Sequence, residues 1–306
     1  MQITINGQTI DVQDGLTIMD ACAIAGIDIP SLCYLKDVSS NASCGICVVE
    51  VKGARSLLRS CITQITEGME IVTNSQRVMN ARRMNLELLL ANHPQDCLLC
   101  DRNENCELQQ LTFDLGMHGM RLVRTRKEIL PKDETSASLV RDPEKCILCG
   151  RCIAVCREVQ SVQAIDFSGR GSKSKVATFM DLGLGVVACT NCGQCALVCP
   201  TGAITEKSSI DDVWKDLRNP EKTVLVQTAP AIRVGIGEAM GMPYGSLVTG
   251  QMVSGLRKLG FSKVFDTNFT ADLTIIEEGH ELIKRIKTGG VLPMITSCSP
   301  GWIKFI

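Results

Sequence analysis

Eight cysteines between residues 146 and 199 constrain this chain more than any other feature. They form two runs of the same spacing, C-x2-C-x2-C-x3-C, and the second run ends in Pro200. Such runs hold paired [4Fe–4S] clusters, and the fourth cysteine of each run binds the other cluster. Structural zinc is the alternative, but a zinc site needs four ligands and two identical runs supply eight. The spacing predicts one ligand set of Cys146, Cys149, Cys152 and Cys199, and another of Cys189, Cys192, Cys195 and Cys156.

Length and composition narrow the class of protein. The chain has 306 residues and 17 cysteines, enough for two or more domains. It opens without the basic and apolar regions of a signal peptide, and no run of 18 apolar residues predicts a membrane span. We therefore expect a cytoplasmic protein, in which cysteines at these spacings bind metal. The net charge of −1, with both signs interspersed, gives no indication of nucleic-acid binding.

The first 77 residues are predicted to form a [2Fe–2S] domain. Alternating apolar residues around Asn6-Gly7 are typical of a β-hairpin, and Thr17 can cap a short helix after it. A hairpin followed by a packed helix is how a β-grasp domain begins. Cys22 lies on the apolar face of that helix, where we expect a buried side chain rather than a ligand. Four later cysteines with the spacing C-x10-C-x2-C-x13-C suit a [2Fe–2S] cluster: Cys33, Cys44, Cys47 and Cys61.

A second small domain is expected over residues 78–135. Periodicity predicts a helix over residues 78–91, with Met84, Leu88 and Ala91 near one face and Arg82 and Arg83 opposite. One imidazole and three thiolates follow, and their number alone fits either zinc or a [4Fe–4S] cluster. The cluster-binding motifs on both sides favour iron. These ligands would be His93, Cys97, Cys100 and Cys106, whereas His118 and His280 have no such neighbours.

The character of the sequence changes within the last 170 residues. Residues 136–209 hold the eight-cysteine run, interrupted at 168–175 by a Gly-, Ser- and Lys-rich stretch that predicts an exposed loop. From residue 210 strands and helices alternate, which predicts an α/β region with a parallel sheet. The predicted strands are 223–227, 263–266 and 291–295, and the predicted helices are 250–259 and 270–286. Cys298 follows the last strand, either as a functional thiol or as a buried side chain.

The order of these motifs resembles the iron-only hydrogenases. Thr228-Ala-Pro-Ala and Thr296-Ser-Cys-Ser-Pro-Gly-Trp resemble the opening of that family's catalytic domain and its first cluster motif. The resemblance implies an α+β multidomain fold. Residues 1–77 would be a plant-type [2Fe–2S] β-grasp domain, 78–135 a small helical [4Fe–4S] domain with one His and three Cys ligands, 136–209 a two-[4Fe–4S] ferredoxin-like domain, and 210–306 the start of the α/β catalytic domain.

The resemblance also implies a function. We expect electron transfer to and from a hydrogenase active site, through one [2Fe–2S] and three [4Fe–4S] clusters. The expected partners are a ferredoxin or a flavin- or NAD(H)-binding subunit within a hetero-oligomeric complex, with no nucleic acid and no membrane span. The family motif has two adjacent cysteines, one for the active-site cluster and one for protons, but Cys298 is followed by Ser299. Because the family's later cysteine motifs are missing before Ile306, we expect this oxidoreductase chain alone not to complete the active site, the H-cluster.

Two other functions stay open at this point. One is a non-catalytic electron-relay subunit of a multisubunit oxidoreductase. The other is an N-terminal piece of a formate dehydrogenase or of the large iron–sulfur subunit of complex I, which share the first two motifs. That piece would continue into a molybdopterin-type domain after Ile204. The α/β pattern and the cysteine loop that follow Ile204 instead favour the hydrogenases.

Overall fold

The computed structural model describes residues 1–124 and 128–305 of the chain. Residues 125–127, inside the predicted domain of 78–135, and Ile306 lie outside the described residues. The chain forms two compact units. The first unit consists of Met1–Lys207 with Ser299–Ile306, and the second consists of Ser208–Cys298.

The first unit begins with the predicted hairpin and helix. Asn6 and Gly7 turn the hairpin with φ of 49° and 85°, in the left-handed region that Asn and Gly adopt most readily. The Thr17 hydroxyl accepts a hydrogen bond from the backbone N–H of Asp20, and the Asp20 carboxylate accepts one from the N–H of Thr17. This reciprocal capping box fixes the start of the helix. The elements are β1 (Gln2–Ile5), β2 (Gln8–Asp11) and α1 (Ile18–Ile24).

A five-stranded mixed sheet is built on this hairpin. Its further strands are β3 (Val48–Val51), β4 (Leu58–Arg59) and β5 (Glu70–Val72). The strand order is β2-β1-β5-β3-β4, and β1 pairs parallel with β5 but antiparallel with β2. Side chains of α1 and of the sheet share one apolar core. Cys22 is fully buried in this core, as predicted.

The helix α2 (Gln76–Ala91) confirms the predicted helix but not its predicted faces. Met84 and Leu88 are 41% and 52% exposed, whereas Arg82 is only 6% exposed. The predicted face was wrong because Arg82 has a backbone partner inside the protein. Its Nη2 donates to the carbonyl oxygen of Val48 in β3 at 3.0 Å, which offsets part of the cost of burying the guanidinium.

Short elements make up the rest of the first unit. In chain order they are α3 (Glu107–Asp114), β6 (Leu139–Arg141), α4 (Arg151–Ala154), β7 (Ile165–Ser168), β8 (Lys175–Thr178), α5 (Gln194–Leu197) and β9 (Ile204–Glu206). β6 pairs antiparallel with β9, and β7 pairs antiparallel with β8. The predicted exposed loop at 168–175 is therefore the connection of a hairpin, and the sequence did not reveal the flanking strands.

The second unit has the predicted α/β order. Its elements are α6 (Ile210–Leu217), β10 (Leu225–Thr228), α7 (Ile232–Ala239), α8 (Thr249–Leu259), β11 (Lys263–Asp266) and α9 (Thr267–Thr288). β10 and β11 pair in parallel, which confirms the predicted parallel sheet. A final helix, α10 (Pro300–Phe305), belongs to the first unit.

The strand predicted at 291–295 is wrong. The described residues 291–298 contain no strand, and Pro293 in their middle has no N–H to donate to a strand ladder. Among the described helices, none combines the length and the apolar character that crossing a membrane requires.

Candidate iron–sulfur sites

The four cysteines predicted to bind a [2Fe–2S] cluster are all buried and lie in two close pairs. The Sγ atoms of Cys33 and Cys44 are 3.4 Å apart, and those of Cys47 and Cys61 are 3.3 Å apart. None of these cysteines forms a disulfide. A [2Fe–2S] rhomb has two irons and four thiolate ligands, so two pairs of thiols fit its donor requirement.

Each of these pairs contains one thiol that loses its proton more readily. The hydrogen bond to the Cys44 side chain lowers the pKa of Cys33, against the effect of burial. The hydrogen bond to Cys61 likewise lowers the pKa of Cys47. Because the thiolate is the metal-binding form, each pair is prepared to bind iron through at least one sulfur.

The loop between Cys44 and Cys47 is held by the following helix. Gly45 has a φ of 67°, in the left-handed region, and its carbonyl accepts a hydrogen bond from Asn85 Nδ2 at 2.6 Å. A Cβ on residue 45 would lie 2.8 Å from that nitrogen. A side chain at this position therefore meets both backbone strain and a collision with Asn85.

We expect Gly45→Ala to destabilise the protein by about 2–3 kcal/mol, because left-handed strain adds to a disturbed hydrogen bond. Gly53→Ala is the matched control, since Gly53 has a φ of 84° and nothing within 4 Å of its Cβ position. The control should cost only the strain, about 1 kcal/mol. Thermal unfolding of both variants measures the difference, and equal melting temperatures would contradict the role given to the Asn85 contact.

The histidine motif is gathered at the end of α2 and the start of α3. His93, Cys97 and Cys106 line one cavity, and Cys106 immediately precedes α3. Nδ1 of His93 is buried and has no hydrogen-bond partner. Burial lowers the pKa of His93, which keeps the ring neutral. A neutral ring with an orphaned buried nitrogen fits a metal ligand.

The first ferredoxin-type ligand set shares one cavity. That cavity is lined by Cys146, Cys149, Cys152 and Cys199, so Cys199 of the second run lies beside the first run. Their assignment as the ligands of one cluster stays a prediction. Burial raises the pKa of Cys149 to about 12, so a metal must displace its proton on binding.

The second set is also gathered, since its other three cysteines act electrostatically on Cys195. The pKa of Cys195 is raised to about 12, mainly by burial and then by the charges of Cys189, Cys192 and Cys156. In the described part of the chain, no three His, Cys, Asp or Glu side chains form a site for a single metal ion.

The two runs have the same loop conformation. Leu148 and Asn191 occupy equivalent positions with φ of 57° and 56°, and Gly150 and Gly193 have φ of 79° and 78°. Each glycine directly precedes a short helix, α4 or α5. The repeated spacing of the sequence is therefore a repeated backbone.

Polar contacts join the first ferredoxin-type site to both other motifs. On one side, Asn41 Nδ2 donates to the carbonyl oxygen of Cys149 at 2.7 Å. On the other side, Arg102 Nη2 donates to the carbonyl oxygen of Cys199 at 3.3 Å, and Arg151 pairs with Glu107 at 2.7 Å. Sequence reasoning missed these residues because their partners are 44 to 108 positions away along the chain.

Cys298 belongs to the second unit. It is the last residue of the second unit and is exposed, which contradicts the alternative of a buried side chain. Its role as a cluster ligand or a proton relay stays a prediction.

Comparison with known protein families covers most of the chain. The first 76 residues match a 2Fe-2S iron-sulfur cluster binding domain, and residues 82–121 match an iron-sulfur binding region of NADH-ubiquinone oxidoreductase-G. Residues 145–203 match a 4Fe-4S dicluster domain. Residues 222–306 match the C-terminal domain of the iron only hydrogenase large subunit.

Individual relatives decide between the families that share these motifs. The NADP-reducing hydrogenase subunit HndD of Solidesulfovibrio fructosivorans is 48% identical over 100% of this chain. Iron hydrogenase 1 of Clostridium pasteurianum is 40% identical over 99% of it. A subunit of the NADH-quinone oxidoreductase of Rhizobium meliloti is 35% identical, but over only 67% of this chain and 24% of its own length. The chain matches the N-terminal region of iron-only hydrogenase large subunits.

The two hydrogenase relatives are longer than this chain. The chain spans 54% and 53% of the two hydrogenase relatives, about half of their length. A crystal structure of an NAD+-reducing [NiFe]-hydrogenase in the H2-reduced state has a TM-score of 0.63 and 29% identity, covering 68% of this chain and 88% of that one. The chain thus has a solved structural relative outside the iron-only class.

Proposed function

We propose that this chain is the electron-transfer arm of an iron-only hydrogenase large subunit, followed by the start of its catalytic domain. The whole protein would oxidise H2 and reduce protons. The observation that carries the proposal is the match of residues 222–306 to the hydrogenase catalytic domain, directly after the iron–sulfur motifs. The complex I-type relative of Rhizobium meliloti matches only 67% of this chain, against 100% for the hydrogenase subunit HndD.

The proposal includes four domains and four clusters. A β-grasp [2Fe–2S] domain would occupy residues 1–77, a His-ligated [4Fe–4S] domain 78–135 and a two-cluster domain 136–209, with the catalytic domain starting at 210. When bound, iron–sulfur clusters take up and release single electrons. The chain's own part is to present the sixteen ligands, bury them and orient them through hydrogen bonds.

The contacts between the sites support a continuous route for electrons. Asn41 holds the [2Fe–2S] loop against Cys149, and Arg102 holds the histidine motif against Cys199. Both contacts end on backbone carbonyls of predicted ligands of the first ferredoxin-type cluster. This cluster would therefore receive electrons from either side. The name of the Solidesulfovibrio relative, an NADP-reducing hydrogenase subunit, supports an NADP(H)-linked partner within a hetero-oligomeric complex. A cytoplasmic location is part of the proposal.

Iron analysis tests the number of clusters. One [2Fe–2S] and three [4Fe–4S] clusters require about 14 iron atoms per chain. We expect that content after anaerobic reconstitution, with an equal amount of acid-labile sulfide. Cys22→Ala should leave it unchanged, because Cys22 lies in the apolar core between α1 and the sheet. A plateau near 10 iron with one zinc would instead make the His93 site structural.

A non-catalytic relay subunit is the second candidate. It is favoured by the match of residues 82–121 to the iron-sulfur region of NADH-ubiquinone oxidoreductase-G. Hydrogen evolution by the natural full-length product separates the two candidates, since a relay subunit produces none.

A further inference from the structure

Lys145 lies between two of the proposed clusters: its backbone adjoins a ligand of one, and its side chain packs near a ligand of the other. It directly precedes Cys146, a predicted ligand of the first ferredoxin-type cluster. Its side chain is only 13% exposed and turns toward the histidine motif. There it lies beside Cys100, a predicted ligand of the other cluster, and the two side chains interact electrostatically.

The position of Gly202 shows how closely these groups pack. A Cβ built on Gly202 would lie 2.8 Å from Cys100 Sγ and 3.3 Å from Lys145 Cδ. Glycine at this position therefore leaves room for the sulfur and the lysine stem side by side. The contact between Lys145 and Cys100 is a property of packing as well as of charge.

The backbone of Lys145 is held in the same region. Its carbonyl oxygen accepts a hydrogen bond from Thr201 Oγ1 at 2.8 Å, and the His93 side chain also bonds to this backbone group. Donation of a ring N–H to a backbone carbonyl is the usual way to orient a metal-binding histidine. Lys145 thus contacts two of the four ligands of the histidine motif.

Carboxylates neutralise the charge of Lys145 less closely than that of Arg151, six residues later in the chain. Both carboxylate oxygens of Glu107 accept from Arg151, at 2.7 and 3.0 Å. The carboxylates that act on Lys145 are Asp142, at the longer distance of 3.8 Å, and Asp96, which forms no ion pair with it among the described residues. The positive charge of Lys145 therefore remains available to Cys100.

We propose that Lys145 is a positioning residue that raises the reduction potential of the cluster held by His93, Cys97, Cys100 and Cys106. The inference rests on the proposed function, because it needs that cluster. Reduction adds one electron and one negative charge to the site, and a buried cation beside a ligand sulfur stabilises this extra charge. Electrons would then remain longer at this site than in a protein without the lysine.

Redox titration followed by EPR tests the inference on the reconstituted 306-residue chain. The signal of this cluster is identified as the one missing from Cys97→Ala. Lys145→Gln removes the charge and should make reduction at least about tenfold less favourable, a downward shift of about 59 mV for one electron. Lys145→Arg keeps the charge and should restore the potential. Lys132→Gln, at a lysine whose side chain is 48% exposed, should leave it unchanged.

Each outcome decides the question. An unmoved signal in Lys145→Gln would overturn the inference while leaving the proposed function intact. Loss of about four iron atoms in Lys145→Gln but not in Lys145→Arg would still support a charge acting on Cys100. Loss in both variants would show a packing role and overturn it. If no signal disappears in Cys97→Ala, the cluster itself is absent and the proposed function fails.

Discussion

A polypeptide of residues 1–306 is expected to evolve no hydrogen, although it contains all the predicted ligands of the electron-transfer clusters. Fifteen of its 17 cysteines are predicted ligands of those clusters, which leaves Cys22 and Cys298. Cys22 is fully buried in the core of the N-terminal sheet, and Cys298 is exposed in the second unit. The active-site cluster of the resembled family requires four thiolates, and one available cysteine cannot supply them.

The measurement is hydrogen evolution from a reduced dye, after expression of these residues with the maturation proteins of the family. The control is Cys298→Ala in the same polypeptide, which defines the background. Turnover above that background would contradict the ligand count. It would force a new assignment in which some cysteines of the first unit serve the active site.

His93→Cys is expected to lower the potential of its cluster by an amount on the order of 100 mV. A thiolate donates more charge to iron than an imidazole, so it stabilises the oxidised cluster; Rieske centres show the opposite exchange, where His in place of Cys raises the potential. Retention of the cluster is expected because His93 lies in a bend after the end of α2, where the backbone can adjust to a shorter side chain.

Redox-titrated EPR provides the measurement, and His118→Cys provides the control. His118 is exposed but lines the same cavity as His93, so it is the other histidine in that cavity that could reach a cluster. The control should not move the signal. If His118→Cys moves it and His93→Cys does not, the ligand is His118 and the interpretation of the H-x3-C-x2-C-x5-C motif is wrong.

Short-range chemistry made much of this fold predictable. The turn at Asn6-Gly7 and the cap at Thr17 depend on residues within three positions of each other, and both are present. The crossed ligand set of Cys146 and Cys199 was also predictable, because a repeated spacing carries its own pairing rule.

The features that the sequence did not predict depend mostly on partners far away along the chain. The burial of Arg82 depends on the carbonyl oxygen of Val48, which is 34 positions away, and periodicity alone places an arginine outside. The residues 291–295 are apolar enough for a strand, but Pro293 lacks the N–H that a ladder needs. The contacts of Asn41 and Lys145 with other motifs have no sequence signature at all.

The two cysteine runs have matched loops but different charged side chains. Equivalent residues share their φ angles to within 1°, even though Leu148 is a poor left-handed residue and Asn191 a good one. Their charges differ: Lys145 and Arg151 of the first run correspond to Ala188 and Gln194 of the second. A duplicated scaffold has thus kept its shape and diverged in its electrostatics. The charged side chains of the two loops can therefore set different reduction potentials in the two halves, and single substitutions could change that difference without rebuilding either loop.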